Sequence, residues 1–172
     1  MGWAVGPVHL TQAVSSVQQW VNFSIATPNQ DAIAQCLLKA SEPHESYSTF
    51  YDYLAADYLR KRNLLVKALK VGGINPVIPQ GGFFIMGDTS NIQFPEKEYL
   101  SEVTPAMPIN PMPRDWGMSR WMTKEIGVTA IPPSSFYDVK NVHLAKNLLR
   151  FAFCKGDDTI MEAEQRFRKY FN

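Results

Sequence analysis

The sequence predicts a mixed α+β fold over most of its length, and three observations carry that prediction. From about residue 45 onward, helical and strand-like periodicities alternate irregularly, which suits neither an all-helical bundle nor a regular βαβ repeat. Residues 47–70 form one long segment with apolar side chains along a single side, the mark of a helix. "GGFFIMGD" (81–88) and "LLRFAFC" (148–154) are short apolar runs of strand length bounded by turn residues.

The elements follow in order. "GWAVG" (2–6) reads as a short buried strand that needs neighbours on both sides. Leu10, Ala13, Val14, Val17 and Val21 share one helical face, giving a helix over 8–21. "TPNQ" (27–30) reads as a helix start, with Thr27 as cap, Pro28 at the first helical position and Gln30 three after the cap. Ile33, Cys36, Leu37 and Ala40 give that helix a buried stripe. "SEPHES" (41–46) is a break. In the long helix Tyr47, Tyr51, Leu54, Tyr58, Leu65 and Leu69 lie on one side, "RKR" (60–62) marks the wet face, and Gly72 or Gly73 ends it. "NPVIP" (75–79) and "GGFFIMGD" form a hairpin-like pair. Residues 88–114, with Pro95, Pro105, Pro108, Pro111 and Pro113, read as a long loop, and loops of that length are commonly functional covers or disordered. Asp115 is expected to cap a helix with Trp116, Trp121, Met122 and Ile126, closed by Gly127. "VTAIP" (128–132) reads as a third strand and "LLRFAFC" as a fourth. The last helix starts at Asp157 and Asp158 and turns Ile160, Ala163, Phe167 and Phe171 inward.

Composition narrows the function classes. The 172 residues suit one domain or one and a half, and 45% are hydrophobic, including ten Phe, seven Tyr and four Trp, enough for a core. Seventeen basic against sixteen acidic residues leave a formal charge of +1, which gives no reason to expect a nucleic-acid or acidic-membrane partner. Cys36 and Cys154 are far apart in apolar surroundings and read as buried free thiols, with no cluster at metal spacing. No run reaches the roughly 18 apolar residues of a membrane span, and no basic leader precedes an apolar stretch. "MGWAVG" fails the myristoylation pattern because Gly6 stands where Ser or Thr is wanted. The expectation is a soluble cytoplasmic protein, with a mitochondrial address left open if a targeting segment lies upstream.

Arg150 is the most pointed chemical feature. In "NLLRFAFCK" (147–155), Leu149, Phe151 and Phe153 share one strand face, and Arg150 points to the other beside Ala152 and Cys154. Two readings stay open on the residues alone: an arginine in water or an internal salt bridge, and a planar, bidentate clamp on a carboxylate. "PQGG" (79–82) fits a tight turn as well as a close backbone approach to a ligand, and no GK[ST] follows to make it a phosphate loop. His9, His44 and His143 sit in turn-like or loop contexts without acid–base partners at helical or strand offsets. "PSSFYDV" (133–139) holds two serines but no G-x-S-x-G elbow. Trp20 and Phe23, at a helix end, read as ordinary core.

A wider pattern adds to this. "GWAVGP…HL" (2–10), "TPNQ", "GGINPVIPQGGFF" (72–84), "AIPPSSFY" (130–137) and "LLRFAFCKGDDTI" (148–160), in this order and at compatible spacing, resemble the pyridoxal-phosphate-dependent class I aminotransferases, and among them the kynurenine and glutamine transaminase (cysteine-S-conjugate β-lyase) branch. The resemblance implies the α/β fold type I, in which a large cofactor-binding domain is joined to a small α+β domain. Residues 1–44 would then be the last strand and helices of the large domain. Residues 45–172 would be the small C-terminal domain, with 47–70 as the interdomain helix and the loop 88–114 near the active-site mouth.

The same resemblance assigns roles. In "[IL]RF.F" the arginine grips the substrate α-carboxylate, which here is Arg150. Phe23 matches an aromatic that reaches the partner subunit's pocket in a homodimer, although Ser24 stands where some relatives carry histidine. Substrates would be an amino acid of the kynurenine, glutamine, methionine or aromatic class and a 2-oxo acid. The family's "SKTF" lysine, the basic residue of "TGWK.GW" and the other cofactor contacts have no match in the sequence, so no catalytic, cofactor-binding or metal residue is assigned. The expectation is therefore an inactive chain that does not hold pyridoxal 5'-phosphate covalently and is the C-terminal portion of such an enzyme. The alternatives are a short non-catalytic protein binding a carboxylate ligand or a full-length partner subunit, and an incomplete gene product. On this reading Gly2–Gly6 is a strand without its sheet, and apolar surface around Trp3, Val5 and Val14 is expected to be exposed.

Overall fold

The computed structural model describes residues 2–101 and 112–171. The chain divides into two compact units, Met1–Ala55 and Ala56–Asn172.

The first unit carries helices α1 (Val8–Val21) and α2 (Thr27–Ala40) and the start of α3 (Phe50–Val71). Residues 2–6 do not form the expected strand: no ladder partner lies beside them, and Trp3, Val5 and Val14 are exposed, as expected. α1 has its expected bounds, yet none of its residues is buried, and the same holds for α2. The expected stripe is thus corrected: Cys36 and Leu37 are exposed, and Ile33 and Ala40 are half-buried. Thr27 is also not the cap. Ala26 holds that place, Pro28 sits in the first turn, and Gln30 donates from its side chain to Ile25 O at 2.9 Å. α3 begins three residues later than expected because Thr49 makes the cap. Its Oγ1 accepts Asp52 N–H at 3.1 Å and donates to Asp52 Oδ2 at 2.8 Å. His44 is half-buried against the Phe50 and Tyr53 rings, at 5.2 and 4.8 Å.

The second unit holds the core. Leu65, Ala68 and Leu69 of α3 pack with Ile74, with Ile85 of β2 (Phe84–Asp88), with Leu149 and Phe151 of β3 (Leu148–Ala152) and with Phe153 just beyond it. Ile160 and Phe167 of α6 (Asp157–Phe171) close it from one side. Met118 and Trp121 of α5 (Arg114–Trp121) and Met122 and Ile126 of the π-helical turn Met122–Ile126 add to the same cluster. The sheet is antiparallel in the order β1-β2-β3, with β1 (Asn75–Val77) paired Asn75 to Asp88 and β2 paired Met86 to Arg150. The expected pairing of "NPVIP" with "GGFFIMGD" is therefore present. Gly73 at φ 68° ends α3, and Gly127 at φ 77° ends the π turn, both in the left-handed region glycine tolerates.

Four further expectations are corrected. "VTAIP" contributes only a bridge from Ile131 to Arg150, because Pro132 and Pro133 follow and proline has no N–H to extend a ladder. Asp115 lies inside α5, whose cap is Pro113. Cys154 is exposed, one residue past the buried Phe153. "RKR" is not simply wet: Arg60 pairs with Asp57 and Asp157, Lys61 pairs with Asp57 at 2.7 Å, and Arg62 donates to Pro79 O at 3.1 Å. In the expected loop 88–114 a helix α4 (Glu96–Leu100) is present, held by Arg114, which donates to Glu96 Oε1 at 2.8 Å and to Ile92 O at 2.7 Å. Pro105, Pro108 and Pro111 of that loop lie outside the described residues.

Gly87 is the tightest point of the sheet: a Cβ there would stand 2.5 Å from Ile74 Cγ2 and 3.0 Å from the Phe151 ring. Overpacking of this kind costs about 1–3 kcal/mol. Gly87→Ala is expected to lower the urea midpoint of the chain accordingly, whereas Gly81→Ala, with nothing within 4 Å, is expected to leave it unchanged.

Candidate functional site: an arginine between two rings

Arg150 stands at the centre of β3, half-buried on the face opposite Leu149 and Phe151. Its backbone is bonded on the strand's outer side to Ile131, N–H to O at 2.9 Å and O from N–H at 3.0 Å. Across the β2 pairing Met86 is directly opposite, and Phe84 and Asp88 are diagonal neighbours on the same face. The guanidinium carbon lies 4.2 Å from the centre of the Phe84 ring and 4.6 Å from that of Phe136. Aromatic rings flanking the guanidinium in this way favour the cation and leave its in-plane N–H groups as the binding edge. Among the described residues no carboxylate is within ion-pair range of it, and its Nε is buried without a hydrogen-bond partner. Asp88, the nearest acid by register, instead accepts Ser90 N–H at 2.8 Å.

Phe136 comes from the 3-10 turn Pro133–Phe136, and α5 holds this turn by two contacts and the segment leading into it by a third. Asp115 Oδ2 accepts Ser134 N–H at 2.9 Å, Trp116 Nε1 donates to Ser134 Oγ at 3.1 Å, and Ser119 Oγ donates to Ala130 O at 2.6 Å. Asp115 is fully buried, and its Oδ1 has no partner. Burial pushes its carboxyl above the ordinary Asp value, against the opposing pull of the Ser134 hydrogen bond.

The two sequence-assigned residues are not brought into one described arrangement. Arg150 lies in the second unit. Phe23 lies in the first, exposed at 89% and at φ 57°, so it is not the core residue its position at a helix end suggested. Trp20 is likewise exposed. Sequence reasoning missed Phe84, Phe136, Ser134 and Asp115. Within "PSSFYD" the serines draw the eye as candidate nucleophiles, but it is the neighbouring Phe136 that meets the arginine. The period-2 pattern places Phe84 on the arginine's face only once the register is known.

The chain belongs to the aminotransferase class I and II family, whose model matches residues 1–164. It is 38% identical to kynurenine–oxoglutarate transaminase of Dictyostelium discoideum over 98% of this chain and 37% of that protein. Among solved structures it is similar to Bna3p of Saccharomyces cerevisiae, with a TM-score of 0.72 and 27% identity over 94% of this chain and 36% of that one. It is also similar to YbdL of Escherichia coli, identified as having a methionine aminotransferase function, with a TM-score of 0.61 and 28% identity over 96% of this chain and 36% of that one. The fold is that of the type I pyridoxal-phosphate aminotransferases, and the chain spans a little over a third of the length of these relatives.

The residues about Arg150 do not by themselves fit pyridoxal phosphate. Phe84, Phe136, Met86 and Ile131 offer rings and apolar surface, but no amine for the aldehyde and no acid for the ring nitrogen. Lys155 lines a cleft of about 390 Å³ together with Arg166 and Glu162, and that cleft is not lined by Arg150, Phe84 or Phe136.

The raised Asp115 pKa has a definite sign. The native state holds the proton more tightly than the unfolded chain, so the associated stability is present at acid pH and is lost as pH rises from the ordinary value of 3.8 through the raised one. Asp115→Asn, which does not ionise, is expected to show a Tm advantage over the wild type that grows from about pH 4 to neutrality. Thermal melts across that range check it.

Proposed function

We propose that this chain supplies the substrate-carboxylate end of an aminotransferase that moves an amino group between an amino acid and a 2-oxo acid by way of pyridoxal phosphate. The observation that carries this reading is the Arg150 guanidinium, faced by Phe84 and Phe136, with its Nε enclosed and unpaired and no described acid in range. A cation held that way is costly without an anion. A planar carboxylate in the guanidinium plane supplies two charge-assisted hydrogen bonds and keeps the rings in place. Held at one end, the substrate loses rotational freedom before the chemistry begins, which lowers the barrier without any group of this chain taking part in bond breaking.

The names of the relatives support kynurenine or methionine as donor. On this reading residues 1–44 belong with the cofactor-binding domain and residues 45–172 form the small domain. Phe23 serves a partner subunit's pocket in a homodimer, and the enzyme is cytoplasmic. The amine that takes the cofactor's aldehyde and the groups that hold its phosphate come from outside these 172 residues, so the chain alone does not transaminate.

Two measurements test this. Calorimetric titration of the chain with 3-phenylpropionate is expected to show one site, weakened at least about tenfold in Arg150→Met, as the loss of a charged hydrogen-bond pair implies. Equal affinity in the variant overturns the clamp. Pyridoxal phosphate followed by borohydride is expected to leave no stoichiometric label on any one lysine. A single fully labelled lysine, located by mass spectrometry, overturns the assignment of the cofactor's anchor to other residues.

A further inference from the structure

We propose that Asp115 is a positioning residue for the Arg150 site, acting through Ser134 to hold Phe136 over the guanidinium. The proposal rests on the reading of Arg150 as a carboxylate clamp. Phe136 is itself 64% exposed and gains little from burial, so its place over Arg150 depends on how its short turn is fixed. That turn has two anchors. At its start Ile131 is bonded to the Arg150 backbone in both directions, which sets the distance from strand to turn. Two residues before Phe136, the buried Ser134 gives its N–H to Asp115 and accepts the Trp116 indole N–H. Proline at 132 and 133 removes two backbone donors and restricts the dihedral angles between the anchors. The turn therefore has little freedom, and the carboxyl of Asp115 decides where its second half sits.

The cost of this arrangement is visible. Asp115 is fully enclosed, one of its oxygens has no partner, and an acid in that setting is retained against its desolvation penalty. The unpaired Nε of Arg150 lies at the other end of the same connection. The groups facing Asp115 are the Ser134 amide and hydroxyl and the backbone amides of Trp116 and of Asp115 itself, with the Trp116 indole bonded beyond them to the Ser134 hydroxyl and Ser119 one turn along α5. An acceptor is needed there for the Ser134 amide, but a negative charge is not. The amide of asparagine meets that need.

The test titrates the full chain with 3-phenylpropionate by calorimetry and follows the Trp116 indole N–H resonance by NMR. Asp115→Ala is expected to move that resonance and weaken binding about fivefold, the size of a lost ring–guanidinium contact. Asp115→Asn is expected to bind within about twofold of the wild type, because its carbonyl still accepts the Ser134 N–H. Phe136→Ala, an exposed position, is expected to weaken binding as Asp115→Ala does, and the double variant no further than Phe136→Ala alone. Wild-type affinity in either Asp115→Ala or Phe136→Ala overturns the proposal, as does an additive double variant. If Asp115→Ala does not fold, Asp115→Ser takes its place, its shorter hydroxyl falling short of the Ser134 amide, with the same expected loss and the same overturning result. Arg150→Met separates the two readings. Undiminished binding in that variant removes the clamp and this proposal together, whereas lost binding in Arg150→Met with full binding in Asp115→Ala removes only the positioning role.

Discussion

The pair of backbone hydrogen bonds between Arg150 and Ile131, at 2.9 and 3.0 Å, is the contact on which the rest of the site depends. It does two jobs at once. On the strand side it satisfies both main-chain groups of Arg150 on the sheet's outer edge, where they would otherwise have no ladder partner. On the other side it starts the segment that bends back through Pro132 and Pro133 to bring Phe136 over the guanidinium. The second ring comes from the strand on the opposite side of β3, as Phe84 is diagonal to Arg150 across the β2–β3 pairing. The arginine is thus enclosed by sequence-distant residues that share nothing except their register against β3.

That register depends in turn on close packing beneath the sheet. Gly87 lets Ile74 and the Phe151 ring approach the backbone of β2, and this fixes β2 against β3 with Met86 opposite Arg150. A slip of one residue would send the arginine to the core side and Phe151 to the surface. Hydrophobic burial of Leu149, Phe151 and Phe153 therefore determines where the cation points, although none of these residues touches it. Among the described residues, the buried side-chain atoms without partners, Asp115 Oδ1 and Arg150 Nε, stand at the two ends of the tether from α5 to β3. An unmet buried donor or acceptor costs about 1–3 kcal/mol, and such costs are characteristic of sites shaped for a ligand rather than for stability.

The sequence made much of this legible, for identifiable reasons. Helices α1, α3 and α6 could be read because their period is long and their ends carry glycine, proline or acidic residues. β2 and β3 could be read from apolar runs of the right length, and Arg150 from its place between two apolar residues of opposite face. The errors share a cause. The sequence points to Asp115 as a helix cap because capping is what aspartate does near a helix start in isolation. In the folded chain Pro113 takes that place, and the carboxyl bonds a turn 19 residues away. "VTAIP" has the composition of a strand, but a ladder needs N–H groups that Pro132 and Pro133 lack. Phe136 gave no signal of its own, since nothing local distinguishes an exposed phenylalanine that covers a cation from one that does not.

The first unit shows the limit of periodicity in another way. α1 has the apolar stripe of an amphipathic helix and the bounds the stripe predicts, yet Val8, Leu10, Val14, Val17 and Val21 are all exposed. A 14-residue helix gains little from propensity alone, and in proteins its stability comes from the face it packs. A pattern of this kind is a record of what a helix is built to bury, not of what it buries within one chain. The contrast with α6, whose Ile160 and Phe167 reach the core, is therefore informative. Both helices obey the same sequence rule, but only the second finds its partner surface in the same compact unit. The apolar stripe of α1 therefore marks a face that the first unit leaves uncovered, whereas that of α6 is covered within its own unit.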